Sequence, residues 1–214
     1  MNARKLFLIV ALGMLAIAGA GCGGARFLAY VLSPENQDQT VEAEYTDLDN
    51  HTVAIVIFAD PGVQFYYPYV RQELSMMIAA QIQKNLRQVR VYDPARVIGY
   101  QNDTLDWEAQ DKTALGKLFG VDYLMYVSLT TFETKEMGME YLYRGNIEAD
   151  IAIYDTHKNE RNSKTWSADG LRATHPEQAT PAENDLAIRQ MTEAKFADQL
   201  VKKFYKHKVP PNEK

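Results

Sequence analysis

The residues that could carry chemistry are few and scattered. The histidines are His51, His157, His175 and His207. His51 precedes an apolar run, His157 falls at a turn, His175 precedes a proline and His207 lies near the carboxyl end. None stands in a pattern with a serine or carboxylate that would build a nucleophile and its base. The chain has no Gly-x-Ser-x-Gly, His-Glu-x-x-His, P-loop or Gly-x-Gly-x-x-Gly. Asp103, Asp106, Glu108 and Asp111 cluster, and hard cations favour several carboxylate oxygens. Trp107 interrupts them, however, and carboxylates leading into a helix are simply suited to its amino terminus. The expectation is a chain without catalytic residues, metal or cofactor.

The densest unusual chemistry is aromatic. Gln64-Phe65-Tyr66-Tyr67-Pro68-Tyr69-Val70 lies between a strand end and a helix start, followed by Arg71. Tyrosine combines apolar area with a polar tip and is enriched at interaction sites. Phe65, Tyr66, Tyr67, Tyr69 and Arg71 are therefore the candidate protein-binding loop. The alternative is that Phe65 and one or two tyrosines pack beneath the loop. The charge balance speaks against nucleic acid as a partner: 23 basic against 28 acidic residues give a net charge of −5, which gives no footing for binding phosphates. At 46% hydrophobic residues the chain has the material for a core.

The single cysteine, Cys22, excludes an intrachain disulfide framework. It closes a segment with the layout of a secretory signal: Arg4 and Lys5, the apolar run Leu6 to Ala18, then Gly19, Ala20 and Gly21. That run is short of the roughly 20 residues a membrane span needs. Gly19-Ala20-Gly21-Cys22 resembles a bacterial lipobox, although Gly19 is smaller than the aliphatic residue usual there. The resemblance implies cleavage after residue 21 and lipid on Cys22. Each buried methylene contributes about 0.8 kcal/mol, so several acyl chains would hold a folded domain at the membrane. Gly23, in place of an aspartate, points to the outer rather than the inner membrane within the same resemblance. An ordinary signal peptide, or an uncleaved anchor extended by Phe27 to Leu32, is the alternative.

Residues 22–50 read as a lipidated cysteine and flexible linker, with Ser33-Pro34 polar and Glu42 to Asn50 acidic. A short edge element around Tyr45 is the other reading. Val53 to Phe58 is a continuous apolar run ended by Asp60-Pro61-Gly62, as in a strand covered on both faces. Val70, Leu74, Met77, Ile78, Ile82 and Leu86 recur at helical spacing and predict a helix from Pro68 to Leu86. A strand at Val89–Tyr92, a short helix at Ala95–Tyr100 and a helix at Asp111–Phe119 come next. Three strands follow: Tyr123–Phe132, Tyr141–Tyr154 and Asn162–Gly170. In the second, Ile147, Ala149, Ile151 and Ile153 alternate with polar residues, the mark of one wet face. His175 to Pro181 breaks the pattern, and Ala182 to Lys206 predicts a closing helix. The order β-α-β-α-β-β-β-α predicts an α/β (α+β) mixed sheet in a single domain at 51–206, with a tail at 207–214.

This order, with the stretch Ala114 to Leu124 in which a helix ends at Gly120 and Val121-Asp122-Tyr123 opens a strand, resembles the CsgG-like lipoproteins and the amino-terminal domain of TolB. Ile151 to Asp155 and the later Trp166 fit the same layout. The resemblance implies an α/β domain of a cell-envelope lipoprotein serving assembly or secretion, without shared catalytic residues. Lipid would anchor it to the membrane with the domain in the periplasm, where envelope proteins or further copies of itself are its partners. Two alternatives stay open. One is an envelope hydrolase with a site of dispersed residues. The other is an oligomeric secretion pore, which would need long membrane hairpins where only Tyr123–Tyr154 has the length.

Overall fold

The computed structural model describes residues 39–136, 138–139, 141–181 and 185–210. The signal segment, Cys22 and the start of the expected linker lie outside the described residues. The chain forms two compact units. In the smaller, β1 (Gln39–Val41) pairs antiparallel with β7 (His207–Val209). Part of the expected linker and part of the expected tail are thus a strand pair.

The larger unit, Glu42 to Tyr205, is built on a five-stranded mixed sheet. β2 (Thr52–Phe58) has β3 (Arg90–Val91) on one side and β4 (Tyr123–Lys135) on the other, both parallel to it. β5 (Leu142–Asp155) and β6 (Lys164–Pro181) continue the sheet antiparallel. The spatial order is β3-β2-β4-β5-β6. Between strands lie α1 (Pro61–Tyr66), α2 (Val70–Asn85), α3 (Pro94–Asp103), α4 (Lys112–Phe119) and the single turn α5 (Glu160–Ser163); α6 (Asp185–Lys202) follows β6. The expected α/β class with a mixed sheet is the class found.

The apolar run of β2 is explained by cover on both faces. Val53, Ile55 and Ile57 join Leu74, Ile78 and Ile82 of α2 and Phe196, Leu200 and Val201 of α6 in one core. Ala54 and Val56 join Val97 of α3 and Leu115 and Phe119 of α4 in the other. A strand buried on both sides has no position for a polar residue. In β5, Ile147, Ala149, Ile151 and Ile153 enter the first core. On its opposite face Glu148 pairs with Arg172, and Asp150 accepts a bond from the Gly170 amide at 2.8 Å.

Helix ends follow capping chemistry. Asp93 accepts from the Ala95 amide, and Asp111 from the Ala114 amide at 2.8 Å. Gly120 ends α4 at φ 67°, a left-handed conformation open to glycine. Several expectations need correction. Asp60-Pro61-Gly62 is not a plain turn. The Asp60 carboxylate accepts from the Gly62 and Val63 amides at 2.7 and 3.0 Å, Pro61 takes the first helical position, and α1 begins there. α2 accordingly starts at Val70, after Pro68 rather than on it. β6 does not stop at Gly170. Its ladder reaches His175 opposite Gly145, skips Pro176 to Ala179, and resumes at Thr180 opposite Tyr143. As the edge strand, β6 tolerates a proline that no outer neighbour needs as a donor. Finally, the acidic stretch before β2 is packed. Leu48 is fully buried, and the Tyr45 ring meets Tyr123 and Phe204 edge-on while its hydroxyl bonds Thr165 at 2.8 Å. Two apolar residues at that spacing are enough to seat the segment.

Candidate binding site

β2 delivers the chain to the sheet end, where Asp60 turns it into α1. This helix has six residues and none of them is buried. Phe65 and Tyr66 are 80% and 75% exposed, and their rings contact each other edge-on at 5.2 Å. Tyr67 turns inward. Its ring lies 4.7 Å from Phe132, and its hydroxyl bonds Thr134 Oγ1 at 3.0 Å. Tyr69 is 65% exposed at the start of α2.

The opposite wall comes from β4. Gly62, Val63, Tyr66 and Tyr67 face Phe132 to Glu136, with Gly138 and Met139 at the rim, across an open groove of about 640 Å³. Arg144 holds the rim carboxylate of Glu136 at 2.7 Å. Lys135 Nζ stands 5.8 Å from the Tyr143 ring. Met139 and Tyr141 expose most of their surface in the same turn. An exposed apolar cluster beside an apolar groove is the usual form of an interaction site.

The five residues named from the sequence thus separate. Tyr66 and Tyr67 line the groove, and Phe65 stands against Tyr66. Tyr69 and Arg71 do not line it. Arg71 Nη2 instead donates to Asn102 Oδ1 of α3 at 2.7 Å, and partial burial lowers its guanidinium pKa. The second wall is not marked by the aromatic run. Its one local signal is the apolar content, Met139 and Tyr141, of a turn already marked by Gly138.

The polar clusters have other work. Asp122 Oδ2 accepts from the Thr52 amide and hydroxyl at 2.8 and 2.7 Å, and Oδ1 faces His157 Nε2 at 3.1 Å. The Thr52 bonds, backbone first, hold the Asp122 carboxyl far below the usual range. The Thr52 hydroxyl donates its proton to Asp122 Oδ2 and accepts from the Asp122 amide at 2.9 Å. The group ties β2 to β4. Of the acidic cluster, Asp111 caps α4 and Trp107 is buried. Among the described residues no three His, Cys, Asp or Glu side chains converge to hold a metal. No described helix is long and apolar enough to cross a membrane.

No family model and no curated protein matches the chain. Solved structures give likenesses. Lipoprotein GNA1162 from Neisseria meningitidis has a TM-score of 0.42 at 16% identity, covering 67% of this chain and 93% of that one. The PelC dodecamer from Paraburkholderia phytofirmans has 0.42 at 10% identity, covering 77% and 96%. TolB from Acinetobacter baumannii has 0.29 at 13% identity, covering 78% and 31%. Likenesses of this size establish no kinship.

Proposed function

We propose that this chain is a membrane-tethered component of a bacterial cell envelope whose larger unit binds a protein partner without catalysing a reaction. The groove between α1 and β4 carries the reading, since it sets exposed Phe65 and Tyr66 beside an apolar cleft. The signal layout ending at Cys22 supplies the tether, and through it an outer-membrane address facing the periplasm. The mechanism is localisation plus recognition: lipid confines the domain to a surface, and the groove selects an envelope protein. An acidic body confined in this way has no electrostatic reason to lie against an anionic surface.

Two variants test the two halves. Cys22→Ala moves the protein from the membrane fraction to the soluble one and removes acyl mass from the wild-type mass spectrum. A Phe65→Ala, Tyr66→Ala double variant keeps the membrane address but loses cross-linked partners. Retention of every partner by a folded double variant would refute the groove as the binding surface.

A further inference from the structure

The groove has a feature that side-chain lining does not describe. The β2–β4 ladder ends at Phe58 opposite Ser128, yet β4 runs on to Lys135 paired with β5. From Leu129 to Lys135 the strand therefore has one paired edge. Toward the β2 side, among the described residues, it has neither a neighbouring strand nor a backbone hydrogen bond. Phe132 to Lys135 of this stretch line the groove, with Gly62, Val63, Tyr66 and Tyr67 lining it from the other side. A row of unpaired N–H and C=O groups is a template for another strand.

We propose that the groove takes an extended peptide segment of the partner protein, which adds a strand to the open edge of β4. This rests on the reading of the groove as the binding site and gives that site its partner chemistry. The residues of β4 fix what the added strand must present. Phe132 and Thr134 are buried and point to the side on which Tyr67 packs, so the facing row takes apolar residues. Glu133 and Lys135 are exposed on the other row. Glu136 is already paired with Arg144, which leaves one negative and one positive group for the incoming strand. A basic residue beside Glu133 and an acidic one beside Lys135 complement them, and opposite charges directly across a ladder are favourable. Val63 and Tyr66 of α1 line the same groove and offer further apolar surface to that row. The ladder gives affinity independent of sequence, while the alternating rows give register and selectivity.

The test uses the full-length protein in detergent and a blocked synthetic probe, acetyl-Val-Glu-Val-Lys-Val-Thr-Val-amide, which matches both rows in antiparallel register. Two further probes carry the same side chains with N-methyl groups on alternate residues, one set in each phase. Binding is read by calorimetry and by hydrogen exchange at the amides of residues 129–135. The expected result is slowed exchange there and loss of affinity of about tenfold or more for one methylated phase, with the other phase close to the parent. Lys135→Glu should weaken the parent probe, and a probe with Lys in place of Glu should recover it. No binding of the parent probe, equal affinity of both methylated phases, or unchanged exchange in β4 would each overturn strand addition. Equal binding of both phases with loss in the Phe65→Ala, Tyr66→Ala variant would leave the groove as a binding site while removing the added strand. Loss of neither would remove both.

Discussion

Glu193 on α6 should make the protein less stable as pH rises, and a single amide substitution should abolish the effect. Its side chain is fully buried, and neither carboxylate oxygen has a hydrogen-bond partner among the described residues. The charged groups around it are Glu73 of α2 and Arg189 one turn earlier on α6, which pair with each other at 3.2 Å. Lys195, further along α6, is turned to the Thr174 carbonyl of β6. Burial first, and the Glu73 charge second, raise the Glu193 pKa from 4.5 to about 8, with Arg189 pulling the other way. The folded state then holds a proton that the unfolded chain releases above pH 4.5. Stability from this proton is full below the unfolded pKa and is lost as pH rises toward the folded one. At about 1.4 kcal/mol per pH unit, the loss between pH 5 and pH 8 is about 3 kcal/mol. For a chain of this size that is a fall of roughly 6–12 °C in melting temperature. Glu193→Gln keeps the shape and cannot ionise. Its own unpaired amide costs a constant amount, so the slope is the readout rather than the offset. Urea unfolding of both proteins at pH 5, 6, 7 and 8 measures it. The difference should grow steadily in favour of the variant. Parallel profiles would mean that Glu193 is ionised in the folded protein and carries no bound proton to lose.

Asp122→Ala removes the acceptor for the Thr52 amide and hydroxyl and should cost about 2–3 kcal/mol in chemical denaturation at pH 7. Because the folded Asp122 pKa is lowered, wild type should keep this advantage above the unfolded carboxylate pKa and lose it as pH falls from there toward the lower folded one, so that the two proteins converge in strong acid. Gly116→Ala drives a methyl group into Thr156 Cγ2, with an expected loss of about 1–3 kcal/mol. Adding Thr156→Ser removes that methyl and should restore much of the loss in the same assay. Tyr45→Ala should destabilise the larger unit by about 3 kcal/mol, which a flexible-linker residue would not do.

The sheet and its covering helices were legible because burial leaves periodic marks. An unbroken apolar run could only be β2, and the four-residue spacing of Val70, Leu74, Ile78 and Ile82 could only be α2. The alternation from Ile147 to Ile153 gave the wet face of β5. Tyr45 and Leu48 were not legible as core, since two apolar residues in an acidic stretch form no period. Helix α1 was hidden because Asp-Pro-Gly serves a turn and a capped helix start equally well. The full length of β6 was hidden by Pro176, which an edge position excuses. For the site, the aromatic density of 65–69 marked one wall. The other wall lies far along the chain, and its defining property is a backbone edge left open where β2 ends. No side-chain pattern records an unpaired backbone, and it becomes visible only once strand lengths and register are known.

If the groove is where this chain meets its partner, a probe seated on it reaches that partner and a probe elsewhere does not. The direct measurement places a photo-cross-linking residue at position 66, on the groove, and in a second protein at position 118, where Leu118 is exposed on α4. Both proteins are expressed with the signal segment and Cys22 intact, and irradiated in cells. A discrete envelope-protein adduct is expected from position 66 and none from position 118. Adducts of equal yield from both positions, or from position 118 alone, would rule out the groove as the contact surface.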